Sequence, residues 1–267
     1  MKHSALQIPL CLALAAAAVL FPRHDASAAA VNLGAASGFA VLAGSGITIG
    51  GSGMSTVTGD IGSSPTPSLT GIANLILTGT DYADSVPTQN AKAALTTAYN
   101  DAAGRPQDVT YVGGFDLVGL ILTPGVYRDG SSLFLSGTLT LDAQGDPNAM
   151  WIFQAGSTLI TASASKVVLL NGAQAANVFW AVGSSATLGT SSDFSGSILA
   201  VSSITLTAGA TVNGQLLASD GAVTLDNNVV AVPEGSVFLL LGAGVVTLGV
   251  FRRWFAPRAP KASSARV

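Results

Sequence analysis

Imidazole and thiol are nearly missing from this chain of 267 residues, which holds one cysteine, Cys11, and two histidines, His3 and His24. All three fall in residues 1–30, which read as an export signal. Met1-Lys2-His3 opens with positive charge, residues 8–21 are apolar and Ala-rich, and Ala26-Ser27-Ala28-Ala29-Ala30 supplies small residues for cleavage near 28–30. The apolar stretch is short for a permanent membrane anchor. The expected mature chain has neither Cys nor His. That excludes disulfides, thiolate nucleophiles, imidazole bases and His-ligated metals, and with them Ser-His-Asp or Cys-His catalysis.

Charge is the second shortage. Residues 31–231 contain twelve Asp, no Glu, two Lys (Lys92, Lys166) and two Arg (Arg105, Arg128), a net charge of −8. With no basic patch, nucleic acid is not an expected partner. The Asp residues sit mainly in turn contexts such as Asp142-Ala-Gln-Gly-Asp146-Pro147 and Asp226-Asn227-Asn228. Asp is a common turn former there, so neither a two-carboxylate glycosidase site nor a calcium loop built on Asp142, Asp146 and Asn148 is favoured. Gly44-Ser-Gly46 and Gly50-Gly-Ser-Gly53 lack the Lys and the spacing of a phosphate loop and read as corners. No enzyme activity and no cofactor are expected.

What is present is a repeat. The 18-residue block 193–210 aligns with block 211–228: Gly196 over Gly214, Ile198-Leu199-Ala200 over Leu216-Leu217-Ala218, and Ile204-Thr205-Leu206 over Val223-Thr224-Leu225 after a one-residue slip. Short apolar strands split by Gly and Ser, repeated at this period, predict a stacked parallel β-solenoid. Phe39-Ala-Val-Leu42 and Ile47-Thr-Ile49 begin the pattern, and residues 111–231 resume it with strands every six to nine residues. Trp151-Ile-Phe153 and Val178-Phe-Trp180 correspond to Ile198-Leu199 and Leu216-Leu217.

Between the two stretches, Ala91, Ala94, Leu95, Ala98, Tyr99 and Ala102 recur at helical steps, with Pro87 before them and Gly104 and Pro106 after. This predicts one helix over about 87–103, its Ala-rich stripe lying close against a flat sheet.

The segments Ser157-Thr158-Leu159, Ala186-Thr187-Leu188, Ile204-Thr205-Leu206 and Val223-Thr224-Leu225 place Leu inward and Thr158, Thr187, Thr205 and Thr224 outward in a ladder. The next outward position holds Ile160, Gly189, Thr207 and Asp226, so only Thr205 and Thr207 form a complete Thr-X-Thr pair. Stacked strands lie about 4.7–4.9 Å apart and alternate residues of one strand about 6.6–6.8 Å apart. A grid of methyl and hydroxyl groups at those spacings can hold water in an ordered array with repeats like those of ice. Thr is also a good strand former with no function implied.

The runs Leu139-Thr-Leu-Asp-Ala-Gln-Gly-Asp-Pro-Asn-Ala-Met-Trp-Ile-Phe-Gln154 and Lys166-Val-Val-Leu-Leu-Asn-Gly-Ala-Gln-Ala-Ala-Asn-Val-Phe-Trp180 resemble the DUF3494 ice-binding-like family. So do Gly59-Asp-Ile-Gly62, Leu122-Thr-Pro-Gly-Val-Tyr127 and Gly221-Ala-Val-Thr-Leu-Asp-Asn-Asn228. The resemblance implies an irregular right-handed β-solenoid of triangular section over residues 31–231, with a helix packed along it. It also implies a sheet face that binds ice, carried onto Thr158, Ile160, Thr187, Gly189, Thr205, Thr207 and Thr224, with Thr48 a further candidate. Asp226 would put a hydrated charge at the edge of that face. A fold can be kept while its site changes. A structural or adhesive matrix protein on the same scaffold is therefore the alternative to an ice-binding antifreeze protein that inhibits recrystallisation.

Residues 232–267 form a separate module. Pro233-Glu234 precedes an apolar span at 237–251, followed at once by Arg252-Arg253 and a basic end. This resembles the PEP-CTERM sorting signal of Gram-negative bacteria, with Gly235 where a second Pro is usual. The span is slightly short for a bilayer, with snorkelling Arg to extend it and the positive end expected on the cytoplasmic side. The resemblance implies membrane insertion before processing by an exosortase-like enzyme. The destination would be the cell surface or the extracellular polysaccharide.

Overall fold

The computed structural model of the chain describes residues 30–233. The expected signal through Ala29, and Glu234, the span 237–251, Arg252 and Arg253 of the tail, lie outside the described residues. Among the described residues, no helix is long and apolar enough to cross a membrane.

Among the described residues, twenty-four short strands build three parallel sheets of eight strands each. The chain visits the sheets in strict rotation, so three strands make one triangular layer and eight layers stack into a β-solenoid. The layers do not stack in chain order. The first layer in space holds Asp60–Ser63, Leu69–Thr70 and Leu75–Thr78, and the second holds Phe39–Ala43, Ile47–Gly50 and Ser55–Thr58. The third is the last in sequence: Leu216–Ala218, Val223–Asp226 and Val229–Ala231. The stack then runs backwards along the chain to the eighth layer, Val109–Tyr111, Phe115–Asp116 and Ile121–Leu122. The N-terminal layers thus close onto the end of the repeat rather than its beginning.

One helix, Val86–Gly104, makes this order possible by carrying the chain from the first layer back to the eighth. Its 19 residues span about 28 Å at about 1.5 Å per residue, close to the seven interlayer steps of about 4.8 Å that separate the two ends. It extends one residue beyond the expected helix at each end. Ala91, Leu95, Ala98 and Ala102 are buried against the first sheet and pack with Leu42, Ile152, Phe179, Leu199 and Leu217. The first sheet is therefore buried on both sides, which explains its unbroken apolar strands: Phe39–Ala43, Trp151–Ala155 and Val178–Val182 are buried at every residue.

Two buried glutamines, Gln154 within a strand of this sheet and Gln215 just before another, both satisfy backbone. Gln154 Nε2 donates to the carbonyls of Ala102 and Arg105 at the C-terminal end of the helix, where carbonyls lack helical partners. Gln215 Nε2 donates to the carbonyls of Ala36, Ser37 and Phe39, fastening the N-terminal segment to the third layer. Arg105 pairs with Asp101 at the same helix end, 2.6 Å apart.

The interior of the prism holds the Leu and Ile residues of the other two sheets and an aromatic stack. Tyr127, Phe153, Trp180 and Phe194 follow one another at 5.6, 4.0 and 4.9 Å between ring centres. The repeat period is confirmed in register: Ile198 pairs with Leu216, and Thr205 with Thr224. Those separations of 18 and 19 residues locate the one-residue slip at the corner between the first and second sheets. Asp142 Oδ1 accepts from the backbone N–H of Gln144, and Asp146 Oδ1 from that of Asn148, so both serve turns.

Candidate functional site

The second sheet combines an inward row of apolar residues with an exposed outer surface. Its strands alternate buried and open positions, as in Ile47–Gly50, Ala186–Leu188 and Ile204–Leu206. The outward central position of each strand falls in register with its neighbours. Thr70 pairs with Thr48, Thr48 with Thr224, Thr224 with Thr205, and Thr205 with Thr187. Five threonines thus form an unbroken rank across layers one to five. The rank continues as Ile160, Phe134 and Asp116 across layers six to eight.

This arrangement corrects the expected ladder at one layer. Thr158 does not align with Thr187. Leu159 pairs with Ala186 and Ile160 with Thr187, so Ile160 takes the outward central place and is 40% exposed. Ser157-Thr158-Leu159 imitates the repeated Xaa-Thr-Leu triplet in sequence, but the strand there is Leu159–Thr161. Its second inward residue is Thr161, whose burial is compensated by a hydrogen bond from the Gly189 N–H at 2.9 Å. Thr158 lies in a neighbouring hydroxyl row, its Oγ1 2.7 Å from Ser132 Oγ.

The flanking positions differ from the central rank. Thr207 is half-buried, its hydroxyl donating to the Leu188 carbonyl at 2.9 Å and accepting from Thr190 at 3.2 Å. Gly189 is a steric necessity: a Cβ there would lie 2.3 Å from the carbonyl carbon of Ala162. Asp226 lies opposite Gly50 at the edge of the sheet. By contrast, the hydroxyls of Thr187, Thr205 and Thr224 have no hydrogen-bond partner among the described residues and are free for water. Thr70 Oγ1 donates to Thr48 Oγ1 at 3.3 Å.

On the second sheet the charged residues stand outside the threonine rank, with Asp226 at its margin and Asp116 at the far end of the row. The helix covers the first sheet. The third carries Lys166 and Asp193 as paired outward neighbours, with Asp142 at its far end. On the second sheet the central rank has no charge from Thr70 to Phe134. Asp116 ends it. Burial opposes ionisation of its carboxyl, but hydrogen bonds from Ser136 and from the Val118 N–H outweigh this and hold its pKa below the ordinary value.

Thr70 was not singled out by the sequence, and Thr48 appeared there only as an outlying candidate. Leu69-Thr70 does repeat the Ile47-Thr48 pattern. Its place in the rank follows from the stacking of the N-terminal layers on the last one, which no local pattern encodes.

A prism of three parallel sheets, one covered by a helix and one bearing a regular rank of threonines, defines a class of surface-recognition solenoids. The sequence profile of the ice-binding-like family matches residues 41–231, and the chain belongs to that family. It is 46% identical over 249 residues to an ice-binding protein of Nostoc sp. (strain HG1), covering 86% of this chain and 90% of that protein. An ice-binding protein of Colwellia sp. is 40% identical over 221 residues, covering 76% and 84%. Among solved structures, an ice-binding protein from an Antarctic biological consortium superimposes with a TM-score of 0.73 at 44% identity, covering 76% of this chain and 91% of that one. The ice-binding protein of the Antarctic ascomycete Antarctomyces psychrotrophicus gives a TM-score of 0.73 at 41% identity, covering 76% and 98%.

Proposed function

We propose that this protein binds ice through the threonine rank of its second sheet and so inhibits ice growth and recrystallisation. The observation that carries this reading is the rank itself: Thr70, Thr48, Thr224, Thr205 and Thr187 stand in continuous register on a sheet that the helix leaves uncovered. Each threonine offers a methyl that water cages and a hydroxyl that anchors the cage. The interlayer step of about 4.8 Å repeats that unit at a spacing like that of the ice lattice. Adsorption by shape and ordered water involves no bond making, so the reading is non-enzymatic and requires no cofactor.

Export fits this role. The N-terminal signal takes the chain out of the cytoplasm. The tail, with Pro233, Glu234, Arg252 and Arg253 as its recognition elements, inserts its span at 237–251 and is processed by an exosortase-like enzyme at the surface of a Gram-negative cell.

Partition into slowly growing ice tests the central statement. A protein spanning residues 31–233 suffices, because solved relatives of nearly this extent are covered over 91% and 98% of their length. It should be enriched in the ice fraction while an inert protein of equal size is excluded. Exclusion of both would contradict the reading. The matrix reading would then stand, with polysaccharide contact at the Phe134 and Asp116 end of the sheet, where an aromatic ring and a carboxylate are neighbours in register.

A further inference from the structure

We propose that the third sheet carries a second ice contact, reached around the edge it shares with the threonine sheet and used against ice that grows up beside an adsorbed molecule. This rests on the ice reading of the second sheet and adds a flank to it.

The outward residues of the third sheet stand in two columns over layers one to four. In the first, Ile76 pairs with Thr56, Thr56 with Val229, and Val229 with Thr211. In the second, Thr78 pairs with Thr58, Thr58 with Ala231, and Ala231 with Asn213. None of these residues is charged. The hydroxyls of Thr56, Thr58 and Thr78 have no hydrogen-bond partner among the described residues. Ile76 and Val229 are each 48% exposed. The columns lie about 6.6–6.8 Å apart and the layers about 4.7–4.9 Å apart. The patch is thus a grid of methyls and free hydroxyls that repeats in two directions, whereas the threonine rank repeats in one.

The grid has a sharp limit. Thr211 donates its hydroxyl to Asp193 Oδ1 at 3.2 Å, and Asp193 is followed in register by Lys166. Strand propensity accounts for β-branched residues on any sheet. It does not explain why the uncharged part of this sheet lies over the layers that hold the rank, layers one to five of its neighbour.

The shared edge joins the two surfaces. In layers one and two, residues 71–74 and 51–54 turn the corner, and they hold Ile72 and Met54 open to solvent at 65% and 44% exposure. Asp226 is the single charge at this edge in layers one to three among the described residues. Its carboxylate lies against Gly51, where a Cβ would collide with Oδ1. The missing side chain lets that charge fold against the backbone of the second layer.

In a three-sided prism lying on ice with its threonine sheet, the third sheet rises from the contact line. Ice thickens by steps that advance across its surface. A step arriving on this side meets the grid; a step arriving on the other flank meets the helix and its Asp101–Arg105 ion pair. The grid is shorter than the rank and is interrupted at Ala231, so it adds to adsorption through the rank and does not replace it.

Val229, within the first column, provides the test in the 31–233 protein. Val229→Lys should still give faceted ice crystals but narrow the freezing gap several-fold at equal concentration. Val229→Thr, which keeps a methyl and gains a hydroxyl, should retain the whole gap. So should Thr138→Lys, which lies in the same column beyond the grid, next to Lys166. Melting curves would verify that each variant is folded, and Ile76→Lys takes the place of Val229→Lys should that variant not fold. An unchanged gap in Val229→Lys, or an equal narrowing in Val229→Thr or Thr138→Lys, would overturn the second contact and leave the threonine sheet as the ice face. Loss of all shaping in Val229→Lys would make the third sheet the primary face and overturn its subsidiary role. If the parent protein neither shapes ice nor enters it, the ice reading fails and this contact fails with it.

Discussion

Thr161 and Thr187 occupy strands of the same sheet in adjacent layers, yet Thr161 points into the core and Thr187 out of it. The difference is one residue of register, and in a strand one residue reverses the face. Sequence reasoning placed Thr187, Thr205 and Thr224 correctly because the Leu after each is an inward marker. It misplaced Thr158 because a polar residue, Thr161, fills the inward site that Leu fills elsewhere, with the Gly189 N–H satisfying its hydroxyl. Gly189 carries a prediction at this scale. A side chain there meets the Ala162 backbone rather than open space, so Gly189→Val should lower stability by about 1–3 kcal/mol, as overpacking of a close contact does. Chemical denaturation checks this; an unchanged midpoint would mean that the corner has room to relax.

At the scale of elements, the helix was legible from its Ala stripe and from Pro87, Gly104 and Pro106. Its fastenings were not, because they join residues far apart in sequence. Gln154 closes one end, and Lys92 secures the middle, its Nζ donating to the carbonyls of Ala218 (2.7 Å) and Ser219. Desolvation lowers the Lys92 pKa to about 8, partly countered by Asp220. A folded pKa below the unfolded one means that between about 8 and 10.5 the unfolded chain binds the extra proton. Stability should then rise as pH increases through that window. Tyr99, Tyr111 and Tyr127 shift the opposite way: burial raises their pKa values above 10.0, so their contribution is lost as pH climbs beyond that value. Thermal melts across alkaline pH should show a maximum between about 8 and 10. Lys92→Met should flatten the rising limb and leave the falling limb in place. A wild-type curve that falls steadily from neutral pH would contradict this account of the helix fastening.

For the whole molecule, the solenoid class and its period follow from local repeats, and so were readable. The order of layers was not. It depends on a helix long enough to return the chain to the far end and on Gln215 binding the Ala36, Ser37 and Phe39 carbonyls across the seam. The consequence for the site is that residues from both ends of the domain sequence share one rank. Thr48→Tyr should therefore abolish ice shaping as fully as a change in the C-terminal repeat. Phe134→Tyr, beyond the threonine end of the rank, should leave most activity. If ice shaping tolerates Thr48→Tyr, the contact surface does not cross the seam.

The most direct measurement of the central claim is thermal hysteresis of the 31–233 protein beside its Thr205→Tyr variant. Melting curves would verify that both are folded. The account predicts a freezing gap with faceted crystals for the parent and near-complete loss for Thr205→Tyr. The ring would stand within the rank, where Thr224 and Thr187 flank position 205. A variant that keeps its melting temperature and its full freezing gap would show that ice is bound elsewhere on the molecule.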